Sequence, residues 1–135
     1  MEERPHVGDS ATAVRVLSGW FLDADRESFA VLMLNAKNRL IGISTISVGS
    51  LTSSLVHPRE VFKPLILHNA AAVILAHNHP SGDPTPSRED NSITQRLVTL
   101  GDMMGIRVID HIIIGDNGRH YSYLDSGALP LPTTV

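Results

Sequence analysis

The sequence predicts a single α/β domain with a mixed, curled β-sheet flanked by helices, and three observations lead to this fold class. The chain has 135 residues, close to the usual size of one domain, and 42% of them are hydrophobic. Helical and strand-like patterns alternate along the chain instead of falling into separate blocks. Cysteine is absent and aromatic residues are few, so the core must be built from aliphatic side chains without disulfides.

The first part of the chain predicts a helix followed by a β-hairpin. Asp9 or Ser10 can cap the helix, because their side-chain oxygens accept hydrogen bonds from the first free backbone N–H groups. Residues 29–34 form a strand-like apolar run. A turn follows at residues 35–38, and residues 40–48 resume as a second strand, as expected for a hairpin.

The middle of the chain predicts a second helix and a buried strand. Pro58 suits the first turn of a helix that continues over residues 59–69. Pro64 lies inside this helix and should kink or shorten it, because proline lacks the backbone N–H that a helix interior needs. Residues 71–76 are continuously apolar, which is typical of a strand covered on both faces.

The last part predicts a long helix and two strands. Ser87 opens the helix, which continues to about Met104, and Gly105 ends it. A strand at residues 106–114 then turns back into a short strand near residues 120–123. The elements therefore predict one compact layered domain rather than two.

Beyond these elements, we expect a flexible segment at residues 1–8, the domain over residues 9–126 and a loose tail at residues 127–135. No apolar run approaches the ~18 residues that span a bilayer. The N-terminus lacks the basic start and apolar core of a secretory signal. We therefore expect a cytoplasmic protein without a membrane partner.

The residues that indicate chemistry surround the end of the third strand. His77 and His79 are two residues apart, so their imidazoles should project from one face of the strand. Asp90 should lie in the first turn of the helix that Ser87 caps, at its positive end. Either pattern alone is a weak signal, since Ser-x-x-Asp is also an ordinary helix cap. Together they predict a catalytic zinc site, one ion per chain, with three protein ligands and a fourth position open to solvent.

Such an ion would activate water and polarise a carbonyl group. Hydrolysis of an amide also needs a nearby carboxylate to take the proton from water and pass it to the leaving amine. The Ser87 hydroxyl could donate to the oxyanion of a tetrahedral intermediate. The pattern therefore points to hydrolysis.

At these residues the sequence resembles a known family. The spacing His-x-His, seven residues, Ser, two residues, Asp resembles the signature of the JAMM (JAB/MPN) metalloproteases. In that family a glutamate at the start of the first strand is the general base, and Glu27 is the matching position here. Further stretches resemble the bacterial RadC branch, namely His57-Pro58-Arg59-Glu60-Val61-Phe62-Lys63, residues 70–90 and Asp110-His111-Ile112-Ile113-Ile114-Gly115.

The resemblance covers roughly residues 27–125 and implies a layout like that of the cytidine deaminases. It also implies a zinc-dependent peptidase or isopeptidase that acts on a peptide or protein conjugate. Its zinc ligands would be His77, His79 and Asp90, with Glu27 and Ser87 as catalytic residues. His111 could contact a ligand, although a lone strand histidine is more typical of a core or rim position.

Two other functions stay open. The RadC name is attached to DNA repair, which would make the chain a DNA repair-associated protein without enzymatic activity. Against direct DNA binding, the net charge is −3, no Lys/Arg cluster stands out, and we expect no room for the helix-hairpin-helix region common in RadC proteins. The other alternative is a silent JAMM scaffold, but silent members typically lose a ligand or the base, and every such position is filled here.

Other metal chemistry fits the sequence less well. A zinc nucleobase deaminase needs Cys ligands, which are absent. A non-haem iron oxygenase could use two histidines and a carboxylate, but would leave Glu27 and Ser87 without a role. An exposed sheet edge in so small a domain also suggests a homodimer.

Overall fold

The computed structural model describes residues 4–49 and 56–133. In these residues the predicted order of helices and strands is confirmed. The elements are α1 (Ser10–Trp20), β1 (Ser28–Leu34), β2 (Leu40–Val48), α2 (Pro58–Leu67), β3 (Ala72–Asn78), α3 (Arg88–Met104), β4 (Arg107–Ile114) and β5 (His120–Ser122).

The described strands form one open, mixed sheet in the order β2-β1-β3-β4-β5. β1 pairs antiparallel with both β2 and β3, β3 pairs parallel with β4, and β4 pairs antiparallel with β5. A parallel pair needs a crossover connection, and α3 supplies it between β3 and β4. Every residue of β1 and β3 is buried, as the apolar runs in the sequence predict. The predicted fold class is therefore confirmed.

Helices cover both faces of this sheet. The α1 face is packed by Ala13, Leu17, Phe21, Ala30, Leu32, Leu34, Ile74, Ala76 and Ile112. The opposite face packs against α2 and α3 and includes Phe29, Val31, Val61, Phe62, Leu65, Val73, Leu75, Ile93 and Leu97. Successive residues of a strand point to opposite faces, so the odd-numbered residues of β1 and β3 face α2 and α3. His77 is therefore directed toward α3.

The helix ends follow the predicted signals closely. Asp9 caps α1 by accepting a hydrogen bond from the Thr12 backbone N–H at 2.8 Å. Gly105 ends α3 in the left-handed conformation at φ 74°, which glycine adopts without steric cost. α2 ends at Leu67, three residues after Pro64 and two before the predicted end. Proline disturbs the turn before it, so this end does not follow from Pro64. Asn69 takes the left-handed conformation at φ 54° and ends the helix.

The two terminal segments are held against the domain where the structure describes them. The Val7 backbone N–H donates to the carbonyl of Asn38 in the hairpin turn at 2.8 Å. The Pro5 carbonyl accepts from the backbone N–H of Leu40, the first residue of β2, also at 2.8 Å. In the tail, Leu129 packs against the core, and the Leu131 carbonyl and Thr133 hydroxyl bond to side chains of α3. These contacts connect the described ends to the domain, and the division into a flexible start, a domain and a loose tail stays a prediction.

No helix within residues 4–49 and 56–133 combines the length and apolar character needed to cross a membrane.

Two helical glycines make opposite predictions about stability. A Cβ at Gly101 in α3 would lie 2.4 Å from the backbone oxygen of Ile106, which leads into β4, whereas a Cβ at Gly19 in α1 would meet nothing within 4 Å. Gly101→Ala should therefore lower the free energy of unfolding by about 1–3 kcal/mol through overpacking. Gly19→Ala should leave it unchanged or raise it by up to about 1 kcal/mol. Urea denaturation of both variants measures the difference, and equal stabilities would contradict the close approach of α3 to β4.

Candidate metal centre

The pairing of β1 with β3 brings Glu27 and the two histidines to one place. Phe29 lies opposite His77 in this antiparallel pair, so Glu27, two residues earlier, approaches His79 at the end of β3. All four side chains belong to the sheet face that α3 covers. The Phe29 ring stacks on His77 with 6.1 Å between ring centroids and 17° between ring planes. The sheet register therefore sets the spacing between the glutamate and the imidazoles.

The start of α3 supplies the carboxylate. The Ser87 hydroxyl oxygen accepts from the Asp90 backbone N–H at 3.1 Å, and the Ser87 backbone N–H donates to Asp90 Oδ2 at 2.7 Å. This reciprocal capping box satisfies two helix N–H groups and fixes the Asp90 side chain. With Oδ2 bonded to the backbone, Oδ1 is directed to His77.

Three side chains that can bind a metal converge between β3 and α3. The Nε2 atoms of His77 and His79 are 3.0 Å apart. His77 Nε2 lies 3.1 Å from Asp90 Oδ1, and His79 Nε2 lies 3.3 Å from Asp90 Oδ2. Together with Glu27 they form a group whose ligand atoms all lie within 4.8 Å of one another. The predicted convergence of the strand end with the first turn of the helix is thus present.

These separations fit a small metal ion. Two ligands bound at about 2.0–2.2 Å to a tetrahedral ion lie about 3.3–3.6 Å apart. The atoms of His77, His79 and Asp90 lie 3.0–3.3 Å apart, so they would need to separate only slightly to hold such an ion. The side chains of His77 and Asp90 are 0% and 2% exposed, whereas that of His79 is 14% exposed. The group could therefore hold a metal ion that is enclosed on the helix side and reached past His79.

Electrostatics favour a cation at this point. Burial by itself raises the pKa of Asp90, but contacts with the His77 and His79 rings outweigh it and hold that pKa well below its usual value. The hydrogen bond with Asp90 raises the pKa of His79, partly opposed by burial. Asp90 is therefore a carboxylate at neutral pH, and a positive charge beside it is stabilised.

Asn78, between the two histidines, holds the segment that carries Glu27. Its Oδ1 accepts from the Ser28 backbone N–H at 2.8 Å, and its Nδ2 donates to the Arg26 carbonyl at 2.9 Å. The amide thus bonds both neighbours of Glu27 in the chain. Sequence reasoning missed this residue, although an amide next to two strand-end histidines could have suggested a structural role there.

Ser87 contacts one of the four converging groups, Asp90, through the reciprocal helix cap. It is exposed at the start of α3, and its hydroxyl oxygen serves as the helix cap. Because the cap uses that oxygen as an acceptor, it does not consume the hydroxyl hydrogen. A catalytic role for Ser87 stays a prediction.

His111 contacts a candidate ligand directly. Its Nε2 lies 2.9 Å from His77 Nδ1, and its side chain is fully buried. β4 carries an extra residue, Ile109, where the pairing with β3 shifts register. This β-bulge moves His111 to the face that α3 covers, beside His77. The expected contact with a candidate ligand is therefore present, and His111 is also a buried residue of the core.

With this geometry in place, comparison with known proteins identifies the family. The sequence profile of the RadC-like JAB domain matches residues 7–128. The chain belongs to this family. The match covers every described helix and strand, and all of the residues that converge at the candidate metal centre. The resemblance to RadC noted from the sequence is therefore confirmed.

Similar proteins are found across several bacteria. The chain is 60% identical over 102 residues to a UPF0758 protein of Caldanaerobacter subterraneus subsp. tengcongensis, covering 76% of this chain and 43% of the relative. It is 56% identical over 119 residues to a UPF0758 protein of Moorella thermoacetica, covering 85% and 52%. For a UPF0758 protein of Rubrobacter xylanophilus the identity is 50% over 126 residues, covering 93% and 55%. The chain therefore spans about half the length of these relatives.

The geometry predicts how metal binding responds to substitution. Zinc added to the metal-free protein should bind at about one ion per chain, and His77→Ala or Asp90→Asn should abolish this binding because each removes a buried ligand. Glu89→Gln is the matched control, since Glu89 precedes Asp90 in the same helical turn but is exposed. Metal content after dialysis measures the result, and circular dichroism checks that each variant folds. Unchanged zinc content in folded His77→Ala protein would contradict the ligand assignment.

Proposed function

We propose that this RadC-like JAB domain is a zinc-dependent hydrolase that cleaves peptide or isopeptide bonds. The observation that carries the proposal is the convergence of Glu27, His77, His79 and Asp90, whose ligand atoms all lie within 4.8 Å of one another. Two imidazoles and one carboxylate on the metal, with a second carboxylate beside them, match the needs of metal-assisted amide hydrolysis.

The donor set favours zinc. Two neutral nitrogens and one oxygen are ligands that zinc accepts in catalytic sites, where a fourth position stays open. When bound, such an ion activates water and polarises the substrate carbonyl. His77 and Asp90 would hold the ion from the buried side and His79 from the more exposed side. The two buried side chains keep water from the rear of the site.

Glu27 is our candidate general base. It is partly buried and lies beside the group, where the start of β1 meets the end of β3. Its carboxylate can accept the proton of the attacking water and deliver it to the leaving amine. The two hydrogen bonds from Asn78 to its neighbours keep Glu27 in place without using the Glu27 carboxylate itself. Ser87, at the start of α3, could donate to the oxyanion.

A cavity beside His79 offers room for substrate. Its volume is about 380 Å³, and it lies between the end of α1 and the turn that joins β4 to β5. Phe21 and Leu22 line one side, and Gly115 and Asp116 line the other. Of the four converging groups, His79 lines this cavity, together with polar residues such as Asn78 and Asn117. The mixture of apolar and polar side chains suits a peptide, which presents both kinds of group.

A scaffold role explains the buried residues less well. Burying a carboxylate and two imidazoles costs free energy that apolar residues of similar volume would not. A scaffold would gain nothing from keeping this group intact, whereas a hydrolase needs it. The convergence of these four side chains therefore favours a hydrolase over a catalytically silent scaffold.

The role of Glu27 predicts a separation of binding from catalysis. Glu27→Gln should bind zinc as the unchanged protein does but hydrolyse substrate about 10²- to 10⁴-fold more slowly, because only the base is removed. Two fluorogenic libraries provide substrates, one of linear peptides and one of peptides joined through a lysine Nε amide. Glu89→Gln serves as the control and should keep full activity. Cleavage by Glu27→Gln at the unchanged rate would exclude Glu27 as the base, and no zinc-dependent cleavage in either library would overturn the hydrolase proposal.

The DNA repair alternative makes a contrasting prediction. With a net charge of −3, the chain should not displace counterions from duplex DNA effectively. Fluorescence anisotropy with a labelled duplex at physiological salt should therefore show no saturable binding below a protein concentration of about 10⁻⁴ M. Tight binding that weakens steeply with added salt would favour a role on DNA instead.

A further inference from the structure

A buried chain of hydrogen bonds runs from one candidate ligand to the backbone of another. His77 Nδ1 lies 2.9 Å from His111 Nε2, and His111 Nδ1 lies 2.5 Å from Thr94 Oγ1. Thr94 Oγ1 then donates to the Asp90 carbonyl oxygen at 2.7 Å. The residues His77, His111 and Thr94 are all 0% exposed, so water does not compete for these bonds.

The carbonyl at the end of this chain fixes the direction of every bond. A carbonyl oxygen only accepts, so the single hydroxyl hydrogen of Thr94 must point to Asp90. The opposite arrangement would leave two oxygens 2.7 Å apart with no hydrogen between them. The Thr94 oxygen must therefore accept from His111, which places the His111 hydrogen on Nδ1.

The position of the hydrogen on His111 also determines which nitrogen of His77 carries a hydrogen. His111 is fully buried, and its two ring nitrogens face only an imidazole and a hydroxyl, with no carboxylate to balance a charge, so the ring is neutral and carries one N–H. With that hydrogen on Nδ1, His111 Nε2 can only accept, and it accepts from His77 Nδ1–H. His77 Nε2 is then the nitrogen that can present a lone pair toward His79 and Asp90.

We propose that Thr94 and His111 are positioning residues, which hold His77 in the tautomer that turns its Nε2 lone pair to the metal position. The inference rests on the metal site of the proposed function. It assigns two residues outside the set of four converging groups, and both act through His77 without touching the metal themselves.

The surroundings hold His111 in the orientation that this role needs. Its ring stacks on Tyr123 with 5.0 Å between centroids and 9° between planes, and Phe29 meets it edge-on at 5.7 Å. The buried Asp110 carboxylate accepts from the His111 backbone N–H at 2.7 Å and so stabilises the bulged strand. Ring and backbone are both fixed, so the nitrogen positions are defined relative to His77 and Thr94.

Replacing Thr94 tests the proposal with little change of shape. Thr94→Val removes the hydroxyl, so the tautomer of His111 is no longer specified, and zinc affinity should fall about 10- to 100-fold, as for other partners of metal-bound histidines. Thr94→Ser keeps the hydroxyl and should restore the affinity. Thr99→Val is the matched control, because Thr99 lies on the same helix and is also buried but bonds to Thr133 and Gln95. Competition with a chromogenic zinc chelator measures all four proteins.

A spectroscopic measurement tests the bond direction itself. Long-range ¹H–¹⁵N correlation spectra of the metal-free and zinc-loaded protein should show His111 protonated at Nδ1 and unprotonated at Nε2 in both states. Thr94→Val should show a mixture of His111 tautomers. Protonation of His111 at Nε2, or a Thr94→Val affinity equal to that of Thr99→Val, would overturn the proposal.

These outcomes separate the two proposals. If the unchanged protein binds no zinc, both the hydrolase and the positioning role are overturned. If it binds zinc and only the Thr94 comparison or the His111 tautomer disagrees, the positioning role alone is wrong. Loss of zinc binding in Thr94→Val with recovery in Thr94→Ser supports the role, because a purely structural effect would not follow the hydroxyl.

Discussion

The antiparallel register of β1 and β3 is the constraint on which the site depends. With Phe29 opposite His77, the glutamate and both imidazoles share one face and approach the same end of the sheet. A slip of one residue would turn Glu27 to the α1 face and drive every other side chain of β1 to the wrong side. Because both strands are buried on both faces, the apolar core strongly disfavours such a slip. Core packing thereby fixes the distance between the carboxylate and the imidazoles.

The cap at the start of α3 both begins the helix and positions the Asp90 carboxylate. Ser87 and Asp90 satisfy each other's backbone groups, so the Asp90 carboxylate is held even though burial penalises its charge. Asp90 thus caps the start of a helix, is buried and contacts two imidazoles. Replacing Asp90 removes all three contributions, whereas a substitution at His79 changes mainly the open side of the site.

Local rules made much of this predictable from the sequence. Strand alternation aligned His77 with His79, and helix capping located Asp90, because both depend only on nearby residues. Glu27 came from the family resemblance, since a glutamate before a strand is by itself uninformative. The sequence assigns no role to Thr94 and names His111 only as a residue that could contact a ligand, because His111 lies 17 residues from Thr94 and 34 residues from His77 in the chain. Alternation counted along β4 from Val108 would put His111 on the α1 face, and only the bulge at Ile109 reverses this.

The strand order keeps the candidate metal centre away from the two edge strands of the sheet. The four converging groups come from the residue before β1, from the end of β3 and the residue that follows it, and from the first turn of α3. Neither edge strand, β2 or β5, contributes one of them. Insertions or exchanges along those edges can therefore change the border of the sheet while the four converging groups keep their spacing. The sequence can thus vary there without altering the distances within the candidate metal centre.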